Sequence, residues 1–147
     1  MNRFIVVLFL FSTVLFGEMK FSDPKPTFDS PRHWVVKIGS NDLAVMNHTL
    51  DAINNVMKEY PSESLKVAIV FYSKGMRNIM KNGDKATLER IKSIMQYDVE
   101  IIGCRNTMQT MGWKESEFID NISYAQAGVA EVIERVVAGW IDVTPYQ

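Results

Sequence analysis

Short, unbroken apolar runs that alternate with helical segments constrain the fold of this chain more than any other feature. The run Val67-Ala68-Ile69-Val70-Phe71 contains no polar residue. Such runs are typical of parallel strands that are covered on both faces of a sheet. The sequence predicts strands at 33–38, 66–72, 99–102, 121–125 and 140–143.

Segments of helical periodicity separate these strands. In the clearest one, the apolar residues recur at spacings of three and four: Val129, Val132, Ile133, Val136, Val137 and Trp140. The pattern predicts helices over about 41–59, 85–97 and 129–140, and short helices near 76–80 and 106–111. We expect Ser40, Asp84 and Asn106 to cap the helices that follow them. The resulting order, β-α-β-α-β-α-β-α-β, predicts an α/β fold: a three-layer, doubly wound, mainly parallel five-stranded sheet with helices on both faces.

The first 17 residues have a different character. A basic residue, Arg3, precedes an apolar run over 4–16, and the small residue Gly17 follows. This succession predicts a secretory signal, because the run is shorter than the ~20 residues that span a bilayer. An uncleaved membrane anchor is the alternative. We therefore expect a signal at 1–17, an extended lead-in at 18–32 and an α/β domain at 33–147. The protein would be periplasmic or secreted, with no membrane contact once the signal is removed.

Charge and cysteine content exclude several classes of function. The chain has 16 basic and 17 acidic residues, for a net charge of −1, so it lacks the basic footprint of a nucleic-acid binder. Its one cysteine cannot form an internal disulfide, and together with two histidines it is too little for an ordinary zinc site. We expect no cofactor and no resident metal.

Two segments are candidates for chemistry, because ligands of open α/β sheets bind beyond the carboxyl ends of the strands. The first follows the second strand and contributes Ser73, Lys74, Gly75 and Arg77 as candidate binding residues. The second follows the third strand and contributes Cys104 as the candidate reactive residue, with Arg105, Asn106 and Thr107 as binding residues.

Cys104 lies between a strand end and a predicted helix start. Backbone N–H groups and the helix dipole favour a thiolate there, and Arg105, Lys74 or Arg77 would add positive charge. A thiol with a lowered pKa is nucleophilic near neutral pH. The alternative is a buried, inert cysteine, since free cysteine is among the most buried residue types. His33 and His48 are not placed as a base for it, so a Cys–His pair is poorly supported.

Sulfur ligands suggest one further possibility. Cys104, Met108 and Met111 are soft donors that suit Cu(I). Methionines at helical spacing more often fill a core, so copper binding is a minor alternative.

The segment Gly103-Cys104-Arg105-Asn106-Thr107-Met108, after Asp98-Val99-Glu100-Ile101-Ile102, resembles the cysteine segment of the DsrE/DsrF-like family. Residues 67–75 are similar to that family's second strand and loop. Residues 127–133, Gly139-Trp140 and Pro145-Tyr146 resemble its C-terminal part. The likeness covers about residues 33–146.

This resemblance implies a compact α/β domain that assembles into trimers or hexamers. It also implies a sulfur relay, in which Cys104 carries a persulfide between a donor and an acceptor protein. The expected protein is thus an exported sulfur carrier more than a turnover enzyme. The alternative is a non-catalytic oligomeric domain that binds or senses a small ligand or a partner.

Overall fold

Five parallel strands form the sheet that the apolar runs predict. The computed structural model describes residues 17–146. The strands are β1 (Arg32–Ile38), β2 (Leu65–Phe71), β3 (Glu100–Cys104), β4 (Ser123–Ala125) and β5 (Ile141–Asp142). Their order in the sheet is β4-β3-β2-β1-β5, and every neighbouring pair is parallel. The α/β prediction is confirmed.

Helices follow the first four strands, as predicted. They are α1 (Leu43–Glu59), α2 (Lys85–Met95), α3 (Arg105–Met111) and α4 (Gly128–Val137). The predicted short helix at 76–80 is a 3₁₀ helix over Ser73–Ile79, and a second 3₁₀ turn spans Glu115–Glu117. The prediction for α4 is too long at its C-terminal end. Gly139 has φ 94°, and the Trp140 N–H donates to the carbonyl of Arg135, so the chain has already turned there.

Two of the three predicted helix caps are wrong. Asp84 caps α2 as expected, because its carboxylate accepts from the Thr87 N–H at 2.8 Å. At α1 the cap is Asp42, whose Oδ1 accepts from the first turn, and Ser40 instead accepts from the Asp42 N–H at 3.1 Å. At α3 the cap position is Cys104. Asn106 lies inside the first turn, where its side chain accepts from Gln126.

The two faces of the sheet are covered unequally. The larger core lies on the face that carries α1 and α2, where Leu50, Ile91 and Phe71 are fully buried. On the opposite face α4 packs over a smaller core through Val132. Helices therefore lie on both faces, which confirms the doubly wound arrangement. Four apolar residues of α4 face solvent: Val129, Ile133, Val136 and Val137.

The register of the sheet brings the two candidate segments together. Phe71 pairs with Gly103, so β2 and β3 end side by side. Cys104 pairs with Ala125 of β4 on the other side. The loops that follow these three strands therefore meet at one edge of the sheet.

The described residues include the predicted lead-in but only the last residue of the predicted secretory signal. Residues 1–16 of the predicted secretory signal lie outside them. The lead-in passes over the start of β1, where the Arg32 guanidinium donates to the carbonyls of Ser22 and Pro24, each at 2.8 Å. Among residues 17–146, no helix has both the length and the apolar character needed to cross a bilayer.

Candidate functional site

Cys104 is the last residue of β3 and the cap of α3, so its sulfur lies at the carboxyl edge of the sheet. The residue is only 5% exposed. The Gly128 N–H, at the start of α4, donates to Cys104 Sγ at 3.2 Å. The Cys104 N–H in turn donates to Met76 Sδ at 3.3 Å. The thiol is therefore enclosed between α3, α4 and the 3₁₀ helix.

The surroundings of the sulfur favour its ionised form. Burial raises the pKa of the Cys104 thiol, because the charged form loses solvation. The nearby Thr107 hydroxyl, the hydrogen bond from the Gly128 N–H and the nearby N–H groups of Thr107 and Asn106 together outweigh this effect. The net result is a pKa below the ordinary value for cysteine.

Thr107 links the two predicted segments. Its Oγ1 accepts a hydrogen bond from the Ser73 N–H at 2.9 Å. A hydroxyl that accepts from a backbone N–H is free to donate its own proton to the neighbouring sulfur. Ser73 adopts φ 50° where the chain leaves β2, and this turn aims its N–H at Thr107. Asn106 instead bonds to Gln126, through its backbone N–H at 2.9 Å and through its side-chain oxygen at 2.6 Å.

Gly75 has a packing role in the structure. Its N–H lies 3.1 Å from the Gly39 carbonyl and 3.0 Å from the Tyr72 carbonyl. A Cβ atom at this position would be 2.0 Å from the carbonyl oxygen of Ile38. The residue is a glycine because the loop must press against the end of β1.

The basic side chains point elsewhere. Arg105 pairs with Glu115 and stacks on Tyr124, with its Cζ atom 4.9 Å from the ring centroid. Arg77 stacks on Trp113 at 5.2 Å, and Lys74 is exposed. The expectation that Arg105 stabilises the sulfur anion is therefore not met, since its guanidinium is held by Glu115. Hydroxyl and backbone donors lower the Cys104 pKa instead.

Gly128 is the site residue that the sequence analysis missed. A Cβ there would lie 3.2 Å from Tyr72 Cβ and 3.3 Å from Cys104 Cβ. A side chain there would force Tyr72 and Cys104 to shift by a few tenths of an ångström, so glycine favours the close approach that brings its N–H to the sulfur. The sequence contains one indication of this role, because Gly128 stands where a predicted strand passes into a predicted helix.

The remaining predicted groups are spread over the fold. His33 lies against Trp140 and His48 against Tyr146, with ring centroids 5.0 and 5.2 Å apart. Met108 is buried in the larger core, whereas Met111 is 46% exposed. Within the described part of the chain, no group of three His, Cys, Asp or Glu side chains could hold a metal ion.

The fold and the site define a class: an α/β protein whose one cysteine ends an interior parallel strand and accepts a hydrogen bond from the start of a helix. The sequence model of the DsrE/DsrF/DrsH-like family matches residues 32–143, and the chain belongs to this family. A similar fold occurs in MTH1491, a protein of unknown function from Methanobacterium thermoautotrophicum. The identity is 19%, the TM-score is 0.72, and the match covers 78% of this chain and 99% of that one. The comparison with curated proteins found no match.

Proposed function

We propose that this protein carries sulfur on Cys104, accepting it as a persulfide and passing it to an acceptor. The observation that carries the proposal is the set of donors around the sulfur, which lowers the pKa of the Cys104 thiol. A thiolate is the form of cysteine that attacks sulfur. Membership of the DsrE-like family supports the same role.

The proposed transfer is a pair of thiol–persulfide exchanges with no net oxidation. The Cys104 thiolate attacks the outer, zero-valent sulfur of a donor persulfide, R–S–SH. The new S–S bond forms as the donor's S–S bond breaks, and the electron pair leaves on the donor thiolate. An acceptor thiolate then attacks the outer sulfur on Cys104 in the same way, and the Cys104 thiolate is released.

The burial of the thiol determines which donors reach it directly. A residue that is 5% exposed presents little of its sulfur to a large reagent. Small sulfane-sulfur donors, such as inorganic polysulfide, should react faster than bulky aromatic disulfides. Transfer from a donor protein would require the start of α4 to move away from Cys104, because Gly128 covers the sulfur on that side.

Loading with inorganic polysulfide, followed by intact mass measurement, tests the carrier role. Wild-type protein should gain the mass of sulfur, whereas Cys104→Ser should gain none and remain folded by circular dichroism. Met111→Leu, at an exposed sulfur, is the matched control and should load normally. Normal loading of Cys104→Ser would contradict the proposal. Loading of the wild type only after unfolding would support a packing role for Cys104.

That packing role belongs to the second candidate function, a non-catalytic domain that binds or senses a ligand or partner. The observation that favours it is the position of Cys104 within the larger core, together with Met76 and Met108.

Copper binding is a minor variant of this second function, with Cys104, Met108 and Met111 as ligands. Stoichiometric Cu(I) binding that Met108→Leu and Met111→Leu abolish would support the variant. A failure to bind Cu(I) after mild reduction would exclude it.

We further propose that copies of the chain associate through α4 into a trimer or hexamer. The supporting observation is the apolar outer face of this helix, where Val137 is 78% exposed. Exposed contiguous apolar surface of this kind marks interaction sites. In light scattering after size exclusion, the double variant Ile133→Lys, Val137→Lys should be smaller than wild type. Met111→Lys, on another surface, is the control. A wild-type monomer would refute the proposal.

Export to the periplasm or the medium is also a proposal, and it rests on the pattern of residues 1–17. Expression in a bacterial host followed by fractionation and N-terminal sequencing tests it. A periplasmic product that starts near residue 18 is the expected result. A full-length product in the membrane fraction would support the uncleaved anchor instead.

A further inference from the structure

A second candidate site lies between the starts of α1 and α2 and the 3₁₀ helix over Ser73–Ile79. A cavity of about 240 Å³ opens there, and Leu43, Asn78, Asp84 and Thr87 are among the residues that line it. We propose that this cavity binds a primary alkylammonium group, carried by a free amine or by a lysine side chain. The site is additional to the proposed sulfur chemistry and does not depend on it.

The buried Asn78 side chain offers an acceptor that no described group of the protein uses. The residue is only 5% exposed. Its side-chain amide donates both N–H protons, to the Ser40 carbonyl at 2.8 Å and to the Gly75 carbonyl at 3.0 Å. Within residues 17–146, its Oδ1 accepts no hydrogen bond.

This unpaired oxygen opens onto the cavity. In the described part of the chain, every fully buried side-chain oxygen has a hydrogen-bond partner, so the unpaired Oδ1 of Asn78 must reach accessible space. The side chain ends beside Ser40, and the next residue, Asn41, lines the cavity together with Asn78. Asn78 Oδ1 is therefore placed to accept a hydrogen bond from a ligand.

Asp84 supplies a negative charge to the same cavity. Its Oδ2 accepts from the Thr87 N–H and from the Thr87 hydroxyl, each at 2.8 Å. These bonds lower the pKa of the Asp84 carboxyl, so it is ionised at neutral pH. The Thr87 hydroxyl also accepts from Asn47 of α1 at 3.1 Å, which places the carboxylate on the side of α2 that faces α1. Within residues 17–146, Asp84 Oδ1 accepts no hydrogen bond.

The nearby basic side chains leave this charge uncompensated. Arg77 also lines the cavity, but its Cζ atom lies 5.2 Å from the ring centroid of Trp113, which does not line it. Lys85 follows Asp84 in the chain and is exposed. Within residues 17–146, neither side chain forms an ion pair with Asp84.

Leu43, the first residue of α1, gives the cavity an apolar wall and is 46% exposed. An ammonium group has three N–H donors and no acceptor, so it suits the free oxygens of Asn78 and Asp84. An alkyl chain attached to it would cover Leu43 and remove apolar surface from water. A bare metal ion would leave that surface exposed, and an anion would meet a carboxylate. The combination favours an alkylammonium ligand.

The test is an NMR titration of the purified protein with n-butylammonium. We expect saturable shifts of the Leu43 and Thr87 amide signals and of the side-chain carbonyl carbon of Asn78. Butyltrimethylammonium keeps the charge but has no N–H to donate, and 1-butanol keeps a donor but has no charge. Each should bind about tenfold more weakly or worse, because it loses the charge-assisted hydrogen bonds.

The source of the ammonium group is read from a fourth probe, Nα-acetyl-lysine methylamide. Tighter binding of this probe than of butylammonium would indicate a lysine side chain, and weaker binding would indicate a free amine. Both results support the ammonium site.

A pair of variants tests the role of the carboxylate. Asp84→Asn, which keeps the helix cap, should weaken butylammonium binding about tenfold. Asp42→Asn makes the same change at the cap of α1, which does not line this cavity, and should leave the affinity unchanged. No saturable shift with butylammonium, equal affinities for butylammonium and its two altered forms, or equal effects of the two variants would overturn the proposal.

Discussion

Gly75→Ala tests most directly whether the loop after β2 must press against the end of β1. The added Cβ would lie 2.0 Å from the Ile38 carbonyl oxygen and 2.6 Å from its carbon. Both are backbone atoms of a central strand, so they cannot rotate away as the end of a side chain would. Relief of the clash requires the loop and the strand to separate.

The cost can be worked out from the contacts that this separation breaks. Overpacking in a well-packed site costs about 1–3 kcal/mol. The Gly75 N–H would also lose its bond to the Gly39 carbonyl, at about 0.5–1.5 kcal/mol. The expected total is about 1.5–4.5 kcal/mol, which is a large share of the 5–15 kcal/mol typical of domain stability.

Urea unfolding, followed by tryptophan fluorescence and circular dichroism, measures this loss. Gly83→Ala is the matched control, because its Cβ would meet the Met80 carbonyl oxygen at 3.0 Å and needs only a small adjustment. We expect Gly75→Ala to unfold at a much lower urea concentration than Gly83→Ala. Equal midpoints for Gly75→Ala and wild type would refute the argument from backbone contact.

Three further predictions concern the thiol. Thr107→Val removes a hydroxyl donor to the sulfur, so the pH midpoint of Cys104 alkylation should rise, and an unchanged midpoint would show that Thr107 has no such role. Gly128→Ala should push the start of α4 away from Cys104, so the pH midpoint of Cys104 alkylation should again rise. Gly139→Ala is the control: nothing lies within 4 Å of its added Cβ, so it should change stability but leave the midpoint unchanged. The folded-state pKa of Cys104 lies below its unfolded value. The ionised thiol therefore adds stability that is complete above the unfolded pKa and is lost as the pH falls through the folded pKa. The free energy of unfolding of wild type relative to Cys104→Ser should accordingly increase with pH across this window, and a flat difference in urea titrations would contradict the pKa direction.

The burial of Cys104 and the lowered pKa of its thiol have a common structural origin. The start of α4, which covers the sulfur, also supplies the Gly128 N–H that donates to it and helps to lower the pKa of the thiol. This shared origin supports the proposed carrier role, because a thiol with a lowered pKa is the more nucleophilic form near neutral pH.

The sequence alone determined the elements and the place of the thiol along them. Apolar runs located the strands, and spacings of three and four located the helices, because these patterns record which residues face the core. Cys104 was recognised as a strand-end residue for the same reason. The start of α1 was less well predicted. Ser40 and Asp42 are both residue types that cap helices, and in the folded chain Asp42 is the cap.

Only the tertiary structure decided which distant segments meet. Two contacts join residues that are far apart in the chain: Gly128 approaches Cys104, and Gly75 touches Ile38. A third departs from the predicted partner, because Arg105 pairs with Glu115 and not with the sulfur. The periodicity of a segment reports that a face is buried but not what buries it, so strand neighbours and the groups around the thiol are fixed only when the sheet assembles.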